Sequence, residues 1–414
     1  MVGLAFWVCF FLIAYVYAVY PVLLALAACT LGRLRKQVKA PVAELPSVTV
    51  LIAAYNEEAT IANKLENTLA LDYPCDKLQI IVAADGSTDR TIEVVRRYAA
   101  RGIELSFSPA RQGKMAAINH AMASARGDVV ILSDANNTFG RGVAREMVAL
   151  FADASVGAVS GAKVILAGDG VLGDSEGLYW RYESRIKIWE TKIGSCAGVS
   201  AEIFALRRRL FEPPPENIIN DDYYIAADLI RRGHRVVYAP EARSFERISA
   251  SPKDEITRRA RIFAGRYQAL MLAGRLLPLN RPLVAWELIS HQYMRTLLPM
   301  AMLGAVLANL IAVIHPAASG GLLAMAPPLS WTALWLQLGF YGMALAGARL
   351  EGKASRLKLL YIPTFLVNSN WAGLIGLVGF LSGRQTTLWA RAQRRGEPGL
   401  DPADAADQHI SRAA

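Results

Sequence analysis

Ser47-Val48-Thr49-Val50-Leu51-Ile52-Ala53-Ala54-Tyr55-Asn56-Glu57 is a β-branched apolar run that stops at a polar triplet. A run with apolar residues on both faces is the pattern of a strand covered on both sides. Helical spacing follows at Thr60–Leu71, with Ile61, Leu65 and Leu69 on one face. The alternation then repeats. Strands are predicted at Leu78–Ala84, Ile103–Phe107, Val129–Leu132 and Gly157–Leu166. Helices are predicted at Thr88–Ala100, Met115–Ala125 and Val143–Phe151, with Ser87 or Thr88 placed to cap the first of these. This order predicts an α/β domain over residues 46–275, with a mostly parallel sheet covered on both faces. In such sheets ligands bind beyond the C-terminal ends of the strands.

Three strand ends carry polar groups suited to a nucleotide: Tyr55-Asn56-Glu57, Asp85-Gly86-Ser87 and Ser133-Asp134-Ala135-Asn136. An aromatic ring can stack on a base, and carboxylates can accept from a base N–H or ribose hydroxyls. Asp134 and the amide oxygen of Asn136 are hard ligands, suited to Mg²⁺ or Mn²⁺ on a diphosphate. Gly113-Lys114 opens a helix where a lysine can meet phosphate. Asn220-Asp221-Asp222 opens the helical stretch Tyr223–Arg232, where an acidic pair either complements the helix dipole or does chemistry. Arg258-Arg259-Ala260-Arg261 offers cations for a leaving diphosphate or for anionic lipid. Tyr179, Tyr182, Ile186, Trp189 and Ile193 form a stripe within Leu178–Ile193, read as core packing or as an acceptor surface. The Gly-x-Gly-x-x-Gly pattern at Gly168–Gly173 follows a late strand and carries Asp169 beside Asp174, so it reads as a loop, not a dinucleotide site.

Outside this domain the chain is apolar. Val2–Leu31 holds no Asp, Glu, Lys or Arg and is followed by Arg33, Arg35, Lys36 and Lys39. It reads as an anchor (1–32) with the following domain in the cytoplasm. Leu26-Ala27-Ala28-Cys29 looks like a lipoprotein cleavage site, but the run lacks a basic start and is too long for a signal peptide. Residues 281–295, with Trp286, Glu287, His291, Tyr293 and Arg295, are predicted as an interfacial amphipathic helix; the alternative is the first turns of the next span. Residues 296–348 form an uncharged hairpin. Residues 359–383 form a third apolar segment, with Asn368-Ser369-Asn370 at its middle, which is one span or two re-entrant pieces. Residues 384–414 read as a cytoplasmic tail. The expected location is the inner membrane, multi-pass.

Composition agrees. The 414 residues are 53% hydrophobic and 19% charged, against about 25% charged in soluble domains. That excludes a disordered chain. Four cysteines without a Cys-x-x-Cys pair exclude a disulfide scaffold and a thiolate zinc site. The net charge of +10 is concentrated at cytoplasmic flanks, which points to lipid and away from nucleic acid.

In this order the motifs resemble those of the membrane-bound family-2 glycosyltransferases, a group that includes exopolysaccharide transferases and cellulose, chitin and hyaluronan synthases. The resemblance covers nearly the whole chain, down to Trp389-x-Arg391 and Arg395. It implies a GT-A fold and inverting transfer of a hexosyl group from a UDP-sugar to a lipid-linked or growing polysaccharide acceptor. It implies Asp85, Tyr55, Asn56 and Glu57 at the nucleotide, with Lys114, Asp134, Arg258 and Arg261 at the diphosphate. It also implies Asp134 and Asn136 at Mg²⁺ or Mn²⁺, Gly198 at the acceptor, and the Asp221–Asp222 pair in catalysis with Asp222 as base. Two positions depart from the family pattern. Asp134-Ala135-Asn136 replaces Asp-x-Asp, and Arg258-x-x-Arg261-Ile262 lacks the tryptophan of processive synthases. The missing tryptophan weighs toward single addition; the alternatives are a processive synthase that translocates its polymer, or an inactive membrane partner of an export complex.

Overall fold

The computed structural model describes residues 1–32, 44–166, 170–247, 252–317, 322–349 and 358–383. The basic flank Arg33–Lys39, Gly168-Asp169 and the tail 384–414 lie outside the described residues.

In chain order, helices α1 (Val2–Ala14) and α2 (Tyr20–Thr30) are joined by one π turn into a continuous rod. Strand β1 (Val48–Ala54), helix α3 (Ile61–Leu69), β2 (Leu78–Asp85), α4 (Thr91–Arg97), β3 (Ile103–Ser108), α5 (Lys114–Met122) and β4 (Val129–Asp134) then follow. After them come β5 (Thr138–Phe139), α6 (Val143–Val148), β6 (Val156–Ile165), α7 (Gly170–Ile193), β7 (Phe204–Arg207), α8 (Asp221–Arg231) and β8 (Arg235–Glu246). The chain ends in α9 (Pro252–Met271), α10 (Ala273–Leu276), α11 (Pro282–Leu288), α12 (Met294–Ile314), α13 (Leu329–Arg349) and α14 (Tyr361–Leu381).

The eight strands form one sheet in the order β3-β2-β1-β4-β7-β6-β8-β5. β1 to β4 are mutually parallel where they pair, and β6 runs parallel to β8; β7 opposes both β4 and β6, and β5 opposes β8. Six strands thus share one direction, and β7, inserted between β4 and β6, and β5, at the edge, run against them. Side chains alternate between the sheet's two faces. Leu51, Ile81 and Leu132 pack with Met115 and Ile118 of α5 and Ile225 and Leu229 of α8. Val50, Ile52, Val82 and Ile131 pack on the other face with Ile61 and Leu65 of α3, Val95 of α4 and Met147 of α6.

Among the described residues, three helical rods are long and apolar enough to cross a membrane: Val2–Thr30, Pro282–Ile314 and Tyr361–Leu381. Leu4, Phe11, Leu26, Ile314 and Val378 are exposed on them, as lipid-facing positions are. The segment expected as a separate interfacial helix runs through a π turn (Ile289–Tyr293) straight into α12. Its polar residues turn inward: Glu287, His291 and Arg295 are all buried. Within residues 359–383, Tyr361–Leu381 form one unbroken helix, α14. Its polar middle is accounted for by packing, since Ser369 accepts from Arg259 of α9 and Asn370 donates to Tyr17 Oη at 3.2 Å. Gly170–Gly173, expected as part of a loop, is already helical in α7.

Candidate active site

The C-terminal ends of β1, β2 and β4 stand side by side because the parallel register pairs Ala54 with Ala84 and Ala53 with Asp134. Asp85 is fully buried. Its Oδ1 accepts from Gln112 N at 2.7 Å and its Oδ2 from Gly113 N at 2.9 Å. The carboxylate therefore holds the turn that launches α5. Gly86 has a φ of +61°, and a Cβ there would lie 2.7 Å from Arg111 N, so only glycine fits the turn without strain. Asn56 is also left-handed, φ 52°. Its Oδ1 accepts from Thr88 N at 2.8 Å, which ties the β1 loop to the β2 loop. The guanidinium of Arg111 stacks 3.8 Å from the centre of the Tyr55 ring.

A cavity of about 350 Å³ opens beside these loops. Glu57, Lys114, Asp134, Asn136, Gly198, Asp221, Asp222, Arg258 and Arg261 all line it; Tyr55, Asn56 and Asp85 do not. Lys114 Nζ sits 2.8 Å from Asp134 Oδ1 and 3.5 Å from Asp221 Oδ2. Burial works against the lysine's charge, but Asp134 and then Asp221 hold its pKa above the ordinary value. Burial likewise acts to raise the Asp134 pKa, and Lys114 outweighs it and holds that carboxyl low.

Asp221 and Asp222 are the first residues of α8, with Asn220 as N-cap. Helix α9 fixes this start. Asn220 Nδ2 donates to Ile262 O at 3.0 Å, Ile219 N donates to Gln268 Oε1 at 3.0 Å, and a Cβ on Gly265 would strike the Asn220 side chain at 2.4 Å. The two carboxylates differ in their surroundings. Asp221 faces Lys114. Asp222 has its pKa raised to about 7, first by burial and then by the neighbouring Asp221. A carboxyl poised near neutrality in a cavity has the chemistry of a general base.

Of the arginines, Arg258 is engaged by Glu255 at 2.7 Å. Arg261 donates weakly to Ile219 O at 3.4 Å, and its Nε is buried without a partner. The Asn136 amide oxygen is likewise buried and unpaired beside Asp134. One carboxylate and one orphaned amide oxygen fit a divalent cation that takes its remaining oxygens from diphosphate and water. Among the described residues no cluster of three His, Cys, Asp or Glu forms a cage for a metal by itself.

Sequence reasoning missed the far wall. Tyr17 comes from the N-terminal rod, Gln292 and Arg295 from the second, Phe365 and Ser369 from α14, and Trp180, Glu183 and Lys187 from α7. Glu183 is clamped by Arg295 at 2.8 Å and by His291 Nε2 at 2.6 Å, while His291 Nδ1 meets Glu190 Oε1 at 2.6 Å. Burial acts to raise the Glu183 pKa, and Arg295 with His291 holds it well below the usual range. Gly198 packs on this cluster, where a Cβ would lie 3.0 Å from His291 Cε1. The aromatic stripe on α7 divides: Ile186 and Ile193 pack with Tyr20 and Leu24 of α2 as core, while Tyr179 lines the cavity with Trp180, Glu183 and Lys187.

A two-sided sheet with acidic strand ends converging on an acidic helix start has the construction of a GT-A glycosyltransferase. The backbone resembles the solved mannosyltransferase PcManGT from Pyrobaculum calidifontis in complex with GDP-Man and Mn²⁺, with a TM-score of 0.71, 23% identity, and coverage of 92% of this chain and 99% of that one. Residues 49–213 match Glycosyl transferase family 2. Residues 49–213 thus carry a family 2 glycosyltransferase domain, and the chain is similar to glycosyltransferases. It is 28% identical over 287 residues to the probable glycosyltransferase YdaM of Bacillus subtilis, covering 66% of this chain and 67% of that protein. It is 30% identical over 217 residues to the poly-beta-1,6-N-acetyl-D-glucosamine synthase of Staphylococcus aureus, covering 50% of this chain and 52% of the synthase. The chain thus spans about half the length of that second relative.

Proposed function

We propose that the protein transfers a hexosyl group from a nucleoside-diphosphate sugar, in our reading a UDP-sugar, to a hydroxyl of a membrane-resident acceptor. Transfer inverts the configuration at C1. The supporting observation is a cavity whose two walls differ in origin. One wall carries Lys114, Asp134, Asp221 and Asp222, and the other is built from all three apolar rods. A water-soluble donor and a membrane-held acceptor can meet there.

Asp222 takes the proton from the acceptor hydroxyl as that oxygen attacks C1. The C1–O bond to the diphosphate breaks on the opposite side, and the diphosphate leaves with the electron pair. A positioned base gives about 10²–10⁴-fold. Lys114 sets the geometry of the acidic groups by bridging Asp134 and Asp221. Arg261, whose Nε lacks a partner, is the cation available to the departing diphosphate. A Mg²⁺ or Mn²⁺ ion held by Asp134 and Asn136 would supply charge neutralisation at the diphosphate. Tyr55, Asn56, Glu57 and Asp85 shape the nucleotide end, the last two loops being tied together through Asn56 and Thr88. The catalytic domain faces the cytoplasm of an inner-membrane protein, where nucleotide sugars are made available.

The test is nucleoside-diphosphate release by detergent-purified protein, with a panel of UDP- and GDP-sugars and Mn²⁺ or Mg²⁺, with and without lipid extract. Lipid-stimulated release of UDP with one sugar is expected. Release of GDP alone overturns the donor assignment, and a long polymer made without lipid favours a processive synthase.

A further inference from the structure

We propose that Trp180 and Lys187 form an anion subsite for the acceptor, which takes a phosphate-type group carried by the molecule that is glycosylated. The inference rests on the glycosyltransfer reading and names the chemistry of its acceptor. Trp180, Glu183 and Lys187 stand at steps of three and four along α7 and so share one face; all three line the cavity.

Lys187 is 2% exposed. Its ammonium has three donors, but one hydrogen bond is found, 3.3 Å to Ser200 Oγ. Among the described residues no carboxylate lies within ion-pair distance of it. The acids nearby are engaged elsewhere: Glu183 by Arg295 at 2.8 Å, and Glu202 by Lys163 at 3.5 Å. The ammonium instead lies 5.4 Å from the ring centres of both Trp180 and Tyr238. The indole N–H of Trp180 is itself buried without a partner, which is costly unless a ligand supplies an acceptor. A neutral hydroxyl would satisfy the indole but leave the ammonium, which feels Glu183 and Glu202 only at a distance, without an ionic partner in contact. An anionic oxygen satisfies both.

The donor diphosphate has its own end of the cavity. The carboxylates that bear on Lys114 are Asp134, Asp221 and Asp222, whereas those that bear on Lys187 are Glu183 and Glu202. Lys187 also stands on the wall completed by Tyr17, Arg295 and Phe365 of the apolar rods. The group it takes therefore arrives from the acceptor's side.

Decyl phosphate and decyl maltoside are probes with the same chain, one charged and one neutral. Calorimetric titration of the full-length protein in dodecyl maltoside should show decyl phosphate binding to the wild type. Lys187→Met should weaken it tenfold or more, Trp180→Phe several-fold, and Lys187→Arg should largely restore it. UDP affinity should stay within twofold in each variant, which also reports folding; Trp180→Phe carries the test if Lys187→Met does not fold. Inorganic phosphate distinguishes the source of the group. Displacement of decyl phosphate by equimolar phosphate supports a subsite for soluble phosphate groups, and failure to displace supports a lipid-borne one. Equal binding of decyl phosphate to all variants, or binding to the wild type no tighter than decyl maltoside, overturns the subsite even in an active enzyme. Lys187-dependent binding in a protein that binds no nucleotide sinks the transferase reading and leaves the subsite standing.

Discussion

Asp222 follows a residue already committed to Lys114, and that order separates the roles of the two carboxyls. With its pKa at about 7, Asp222 is the base only when ionised. The pH profile of kcat/KM should therefore rise about tenfold per unit below 7 and level off above it. The same shift has a consequence for stability. A carboxyl whose pKa is higher in the folded than in the unfolded protein stabilises the fold while protonated. That contribution fades as pH rises from the ordinary carboxylate range through about 7. Asp222→Asn should accordingly raise Tm above that of the wild type at pH 8, and by less at pH 5; equal Tm values at pH 8 would contradict the raised pKa. Asp134→Ala should remove the stimulation of UDP binding by Mn²⁺, and a titration showing the same Mn²⁺ effect in both proteins removes this residue from the metal site. These positions were legible because an acidic residue at a strand end or helix start is conspicuous. Lys187 and Trp180 were not, since their meaning depends on which face of a long helix meets a cavity.

Helix α14 shows how an apolar element can carry a functional face. Its Gly376 lets the helix approach α9 so closely that a Cβ would lie 2.4 Å from Ala260 O, and at Gly373 a Cβ would strike Pro299 Cγ at 2.4 Å. Small residues permit such contact between helices where lipid offers no hydrophobic drive. Gly376→Ala should lower the Tm of the detergent-purified protein by several degrees, as overpacking costs about 1–3 kcal/mol. Gly342→Ala on α13, where nothing lies within 4 Å, should leave it unchanged; an equal effect of both changes would exclude close α9–α14 packing. The polar middle of α14 suggested a break when read alone, because its partners Arg259 and Tyr17 are remote in sequence. β1, β2 and β4 were readable from their apolar runs, and β3 from the alternation of Ile103, Leu105 and Phe107 with polar residues. β7 is only four residues long, and β8 (Arg235–Glu246) includes Pro240 and several charges, so neither shows a strand's periodicity. The antiparallel insertion of β7 is a matter of topology, which local pattern does not encode.

At the scale of the whole molecule, the three described apolar rods long enough to cross a membrane pack beside a nucleotide-type sheet, and the cavity lies where the two parts join. Orientation can be read with one thiol. Cys75 is exposed on the sheet domain and Cys196 is buried, so a Cys9→Ser, Cys29→Ser protein presents Cys75 to a membrane-impermeant maleimide. It should remain unlabelled in intact cells and react in inverted membrane vesicles; labelling in intact cells would reverse the topology. The central claim is that Asp222, on the wall of a cavity shared by nucleotide and membrane acceptor, performs the proton transfer. The most direct measurement compares turnover and UDP affinity of the wild type and Asp222→Asn in the same lipid-supplemented assay. The account predicts that turnover falls at least about 100-fold while UDP affinity stays within twofold. Residual turnover above about one-hundredth of wild type, or a parallel loss of nucleotide binding, contradicts it.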